Sequence, residues 1–332
     1  MRQIRSTGRS PWPRWLYRPG GIREAVWNWI ARPKPIPLGR LALGLTAAAL
    51  ALPNLLTATA QAALTSEELQ KAGIRQEGGE FRKDFSQSFP LAARGTFALD
   101  NINGRTEIRG WSSNVVAITA VIHGSTGECV NDARITVDAD AEQARVHTDT
   151  PSAKTGSASA WAWFRGTRNE SATIDYTVRV PEQVRLKDVS SVNGEIRIEG
   201  MAGDITASVV NGETEVKHAI GNLKLETVNG AIHAEMDALS RGQSVTLNAV
   251  NGEMTLSLPE NADAAFAVST VNGGISSEFP TLQPVKEFPV GNHLNGSLGQ
   301  GGGQVKAGAV NGAIHFLKRP IRLGLASPSP AR

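Results

Sequence analysis

Residues 190–200 read Ser-Ser-Val-Asn-Gly-Glu-Ile-Arg-Ile-Glu-Gly, and the tripeptide Val192-Asn193-Gly194 at their centre keeps returning. The later copies end in Asn211-Gly212, Asn229-Gly230, Asn251-Gly252, Asn272-Gly273 and Asn311-Gly312, and Ile102-Asn103-Gly104 is a variant. Successive spacings from Asn193 are 18, 18, 22, 21 and 39 residues, the last about two units with a Gly- and Pro-rich insertion at 280–303. Two residues after each glycine stand Ile196, Thr214, Ile232, Met254, Ile275 and Ile314, and four after stand Ile198, Val216, Ala234, Leu256, Ser277 and Phe316. Between them lie Arg197, Glu215, His233, Thr255, Ser276 and His315. That alternation is a strand with one face inward. A second strand precedes each tripeptide, as in Leu223/Leu225 and Val245/Leu247.

Asn-Gly between apolar runs commonly marks an antiparallel hairpin. The period favours a parallel β-solenoid instead. A meander does not require the same residue types at the same offsets from every second turn. Turns stacked about 4.8 Å apart place each position on its own copies, so ladders of Ile, small residues and Asn are what stacking demands. Gly accepts the positive φ of a corner, and stacked Asn amides bond to the Asn above and below. The ends of such a stack need caps; the strands in 81–180 and the tail after Lys318 are the candidates. Ile196, Ile232 and Ile314 are expected to point into one core, with Arg197, His233 and His315 outside.

Working outward, 319–332 reads as a disordered tail, 181–318 as the solenoid and 81–180 as an N-terminal β region of first turns or cap. A loop at 149–171 interrupts that region, and 63–80 is a polar lead-in. Residues 1–62 read as a secretory signal with a long basic n-region. Its apolar run is Leu41 to Leu52, and Ala60-Gln61-Ala62 before Ala63 fits a cleavage site. An uncleaved membrane anchor is the alternative. The leader takes nine of the 34 basic and one of the 31 acidic residues, leaving 25 and 30 and a net charge of −5 from residue 63 onward. The mature chain therefore lacks the basic excess that a nucleic-acid partner demands. A single cysteine, Cys129, excludes an intrachain disulfide framework and any Cys-rich metal site. These features predict an exported protein of the periplasm or cell surface.

Asn101-Ile-Asn-Gly104 with Thr106-Glu-Ile-Arg-Gly-Trp111, the strand Tyr176-Thr-Val-Arg-Val-Pro181, and 190–200 with its successors resemble the DUF4097 family. These are bacterial β-strand repeat proteins that carry an adhesin label, and the resemblance spans roughly 81–318. It implies a right-handed, β-helix-like fold in an exported envelope protein. It brings no catalytic or ligand residues.

Chemistry is sparse. No Gly-x-Ser-x-Gly elbow is present. His233 and His315 share one repeat offset but count as about four turns apart, too far to share an ion; His123, His147, His218 and His293 are scattered. Glu195 and Glu213 would be neighbours on adjacent turns about 5 Å apart, a spacing compatible with a retaining glycosidase pair or a weak calcium site. Glu253 follows, with Ala231, Gly274 and Ala313 interrupting the row. No Asp cluster accompanies them, so a solvated edge is the simpler reading. Trp161, Trp163 and Phe164 form the candidate contact surface, or else a cap. The sequence thus predicts no catalytic, cofactor-binding or metal-binding residue. It predicts a non-enzymatic scaffold or binding protein whose partner is an unknown envelope glycan or protein. Membrane contact would come only through an uncleaved leader. A carbohydrate-active β-helix enzyme and an envelope-stress regulatory component are the alternatives.

Overall fold

The computed structural model describes residues 65–150, 171–286 and 291–320. Thr65 Oγ1 accepts the Glu68 N–H at 3.3 Å while Glu68 Oε2 accepts the Thr65 N–H at 2.9 Å. This capping box opens α1 (Ser66–Lys71) in the polar lead-in. There follow β1 (Ile74–Glu77), β2 (Glu80–Pro90), β3 (Thr96–Asn103), β4 (Thr106–Trp111), β5 (Val115–Gly124), α2 (Gly127–Asp132), β6 (Arg134–Ala139), β7 (Gln143–Asp149) and β8 (Thr173–Pro181). The repeats continue as β9 (Arg185–Asn193), β10 (Ile196–Glu199), β11 (Ile205–Asn211), β12 (Thr214–Ile220), β13 (Leu223–Asn229), β14 (Ile232–Ala238), β15 (Ser244–Asn251) and β16 (Met254–Pro259). The last strands are β17 (Ala264–Asn272), β18 (Ile275–Ser277), β19 (Val285–Lys286), β20 (Asn292–Leu298), β21 (Gly303–Asn311) and β22 (Ile314–Arg319).

The protein is all-β, built as two mostly parallel 11-stranded sheets. The strand before each Asn-Gly lies in one sheet and the strand after it in the other, so consecutive strands of a repeat do not pair. Equivalent residues of successive repeats do: Ile196 pairs with Thr214, Thr214 with Ile232, and Ile232 with Met254. The hairpin alternative fails for a local reason. A type I′ turn requires positive φ at both central residues, and His218 is the only non-glycine with positive φ among the described residues. The corner asparagines therefore do not adopt that turn.

The core lies between the sheets. Ile196, Ile232 and Ile314 are fully buried, as are Leu225, Leu247 and Val305 facing them. Arg197, His233 and His315 stand on the outer side. Each buried aliphatic side chain contributes roughly 1.5–3 kcal/mol, several per turn, which stabilises the stack without a disulfide.

Spatial order departs from chain order at both ends. The two-stranded turns stack as β7/β8, β3/β4, β9/β10, β11/β12, β13/β14, β15/β16, β21/β22 and β17/β18. The chain leaves the stack after β16, builds the outermost turn β17/β18, and folds back through β20, which pairs antiparallel with β17. It then inserts β21/β22 into the gap, pairing with β15 and β17 on one side and with β16 and β18 on the other. At the other end β3/β4 contacts β9/β10 although their paired asparagines, Asn103 and Asn193, are 90 positions apart in sequence, and β7/β8 sits outside it. β22 belongs to an internal turn and runs to Arg319, one residue past the expected end of the solenoid; the tail expected beyond it lies outside the described residues after 320. At the far end of the stack stand β17, β18 and β20. Antiparallel strands β5, β2 and β1 extend one sheet at the opposite end, and β6 ends the other. Antiparallel edge strands of this kind stop further parallel stacking.

Candidate functional site

The corners form one continuous ladder. Asn193 Nδ2 donates to Asn103 Oδ1, Asn211 to Asn193, Asn229 to Asn211 and Asn251 to Asn229, each at 2.9 Å. Asn311 donates to Asn251 at 2.8 Å and Asn272 to Asn311 at 2.9 Å. All the amides point the same way, so each bond polarises the next. The glycines beside them serve close approach more than backbone freedom. A Cβ on Gly212, Gly230, Gly252 or Gly312 would lie 1.8–1.9 Å from the carbonyl oxygen of the glycine stacked against it. Gly194, whose φ lies outside the left-handed range, would meet Gly104 O at 1.9 Å. Positive φ occurs at Gly104, Gly212, Gly230 and Gly252, but it is not common to the whole row. The reason given by the sequence for the corner glycines is corrected to this extent.

The outer face of the sheet containing β10, β12 and β14 carries charges of alternating sign. Arg105 pairs with Glu195 at 3.2 Å, Lys217 with Glu215 at 2.6 Å, and Arg197 bridges Glu195 and Glu215. Arg109 joins Glu107 and Glu199. The Lys217 hydrogen bond holds the Glu215 carboxyl below the usual range and raises the Lys217 ammonium in return. A shallow depression of about 220 Å³ opens over Ile108 and Ile198, ringed by Glu107, Glu199, Glu215, Arg109, Arg197 and Lys217. Three acids face three bases there, so the ring is neutral. Towards β16, β22 and β18 the face becomes Thr255, Ser257, Ser276 and the exposed Leu317.

The other outer face is less charged. The valine of each tripeptide is half-buried on it, and Ser208, Thr206, Thr246 and Asn248 lie alongside. One cluster stands out near β7, β3 and β9. Asp100 accepts from Ser190 Oγ at 2.9 Å, lies 3.4 Å from His147 Nδ1 and 3.6 Å from Arg145. Asp188 is half-buried beside it. Burial, then the charge of Asp100, pushes its carboxyl pKa up against the opposing pull of Arg145, Lys187 and Lys224. The strand bulges here, with register shifts against both neighbours, and a bulge re-aims the side chains around it.

Residues 181–316 match the family model described as Toastrack DUF4097. Over this stretch the chain is similar to the DUF4097 family. The Toastrack repeats thus cover β9 to β18 and most of the returning turn β21/β22. Among solved structures, a candidate cell-adhesion protein from Clostridium sporogenes is 14% identical, with 72% of this chain and all of that one covered at a TM-score of 0.38. A candidate adhesin from Bacteroides fragilis is 10% identical, covering 71% of this chain and 97% of that one at 0.32. A candidate lipid-binding protein from Parabacteroides distasonis is 8% identical, covering 71% and 95% at 0.24. No curated protein matches the sequence.

Within the Toastrack stack, Glu195 and Glu213 do fall on adjacent turns. Each has basic company: Arg105 and Arg197 beside Glu195, and His233 at 3.5 Å from Glu213. His233 and His315 are two turns apart, separated by Thr255, not four. The difference arises because β22 is inserted beside β16. His315 pairs with Glu253 at 3.4 Å and with Ser276. Trp161, Trp163 and Phe164, like the leader, lie outside the described residues. No helix among the described residues is long and apolar enough to cross a membrane. The sequence reading missed the Asp100–Asp188 cluster, because its members come from strands whose contact depends on the out-of-order stacking. The doubled polar pair Lys187-Asp188, where alternation lapses, was the available signal.

Proposed function

We propose that the protein is an exported, non-enzymatic β-solenoid of the bacterial cell envelope, an adhesin-like scaffold displaying two rigid faces to an envelope glycan or protein. The observation that carries this reading is the pair of open outer faces. Parallel sheets ordinarily have both faces covered; here each sheet covers only the inner face of the other and leaves a polar face outward. The neutral ring around the 220 Å³ depression suits a neutral or zwitterionic ligand better than a polyanion. The adhesin label of the family agrees with such a role. A right-handed coil is the expected hand, because crossover connections between parallel strands of one sheet are right-handed in about 98% of cases. Export follows from the leader, with the mature chain starting near Ala63. A glycan and peptidoglycan array probed with the mature protein tests the proposal. Retention of a neutral glycan that persists in high salt supports it. Binding restricted to polyanions and abolished by salt overturns it.

The Asp100–Asp188 cluster favours a second reading, a carbohydrate-active enzyme. One carboxylate held among Arg145, His147 and Ser190 and another pushed towards its protonated form is the division of labour that acid–base catalysis uses. Release of reducing ends from an envelope polysaccharide, lost in Asp188→Asn, is the result that reading requires.

A further inference from the structure

His218 is the single non-glycine residue with positive φ, 54°, among the described residues. L-residues disfavour that conformation, and such outliers gather at functional positions. It sits where the register of β12 against β14 slips by one residue and is restored at Ile220, which pairs with Ala238. Val216 pairs with Ala234 and Ala219 with Met236, so three steps on β12 oppose two on β14. The bulge turns the imidazole onto the outer face towards β14. There His218 Nδ1 lies 3.2 Å from both carboxylate oxygens of Asp237 and 3.5 Å from Glu235 Oε1. The three ligand atoms lie within 4.8 Å of one another.

Those separations have a chemical meaning. An ion bound tetrahedrally at about 2.0–2.1 Å by nitrogen and oxygen has ligand atoms about 3.3–3.4 Å apart. The two distances from His218 fall on either side of that value. A fourth group completes the picture. Arg319, at the end of β22, sends Nη1 across the intervening strand β16 to Glu235 Oε1 at 2.6 Å and Asp237 Oδ1 at 3.3 Å. The guanidinium therefore engages the same two carboxylates as the imidazole. An arginine on a pair of carboxylates stands in for a cation, and the imidazole beside it adds a ligand type suited to zinc-like ions.

We propose that His218, Glu235 and Asp237 form a binding site for a Zn²⁺-class divalent cation, with Arg319 as its built-in competitor. Binding replaces the guanidinium on the carboxylates and recruits His218 Nδ1. Water supplies the fourth ligand. The competitor makes the prediction sharp, because removing a positive charge must strengthen binding rather than weaken the fold alone.

Isothermal titration of Zn²⁺ into the chelator-stripped mature protein tests this. One equivalent is expected to bind to wild type. His218→Asn, which keeps a residue tolerant of positive φ, and Asp237→Asn should each weaken binding at least ten-fold. Arg319→Gln should tighten it at least ten-fold, and His233→Asn should leave it unchanged. Circular dichroism of each variant without zinc separates folding from ligation. Co²⁺ in the same site should show the visible bands of a four-coordinate ion with nitrogen and oxygen ligands. The proposal is overturned if neither wild type nor folded Arg319→Gln binds zinc. It is equally overturned if binding survives His218→Asn or depends on His233.

Discussion

A glycine series separates two reasons for the corner residue. Gly242 has φ +82° and open space around its would-be Cβ, so Gly242→Ala pays for conformation alone, about 1–2 kcal/mol. Gly194 has no left-handed φ, but its Cβ would sit 1.9 Å from Gly104 O. Ordinary contact begins at 3.4 Å, so Gly194→Ala must part the two turns by about 1.5 Å at the corner. That displacement breaks Gly104 N–H to Asn193 O (3.0 Å), Thr106 N–H to Glu195 O (2.8 Å) and the Asn193–Asn103 amide bond (2.9 Å). At about 1 kcal/mol net per hydrogen bond, the loss is about 3 kcal/mol. Gly230→Ala combines the two terms, with φ +146° and Gly212 O at 1.8 Å. Urea unfolding followed by far-ultraviolet circular dichroism should therefore rank destabilisation as Gly230→Ala, then Gly194→Ala, then Gly242→Ala. A Gly242→Ala protein as destabilised as Gly194→Ala, or more so, would refute the stacking argument and restore backbone conformation as the reason.

Asp188→Asn should raise the melting temperature at neutral pH: its folded pKa is raised, so ionisation costs stability as pH rises above the unfolded carboxyl value of about 3.9. The gain should vanish below that value, and a variant less stable than wild type at pH 7 would contradict it. Glu215 runs the other way. Its pKa is lowered, so its contribution is complete above the unfolded value of about 4.3 and disappears as pH falls through the folded one; the stability gap between wild type and Glu215→Gln should close on acidification in a thermal-melt series. Asn229→Ala removes one amide donated to Asn211 and one accepted from Asn251, and should cost about 1–2 kcal/mol in chemical denaturation. Equal stability of Asn229→Ala and wild type would show that the exposed ladder adds nothing over water.

The sequence by itself determined whatever recurs at a fixed offset. The tripeptide period, the inward row of Ile196, Ile232 and Ile314, the outward row of Arg197, His233 and His315, and the asparagine ladder follow from stacking identical units in register. A one-residue slip would invert every face. Only the tertiary structure decided which unit stacks on which. The backbone edge of a parallel strand offers the same N–H and C=O groups to any partner in register, so nothing local marks β21/β22 as the turn that enters between β15/β16 and β17/β18. The same holds for β7/β8, which takes the outer position beside β3/β4. The side-chain clusters depend on that ordering. Asp100 meets Ser190 across 90 residues of sequence and Arg319 meets Asp237 across 82, and the His218 bulge aims a ring that its place in the repeat leaves undirected. Contacts assembled from turns far apart in the chain become visible only when the order of the stack is known.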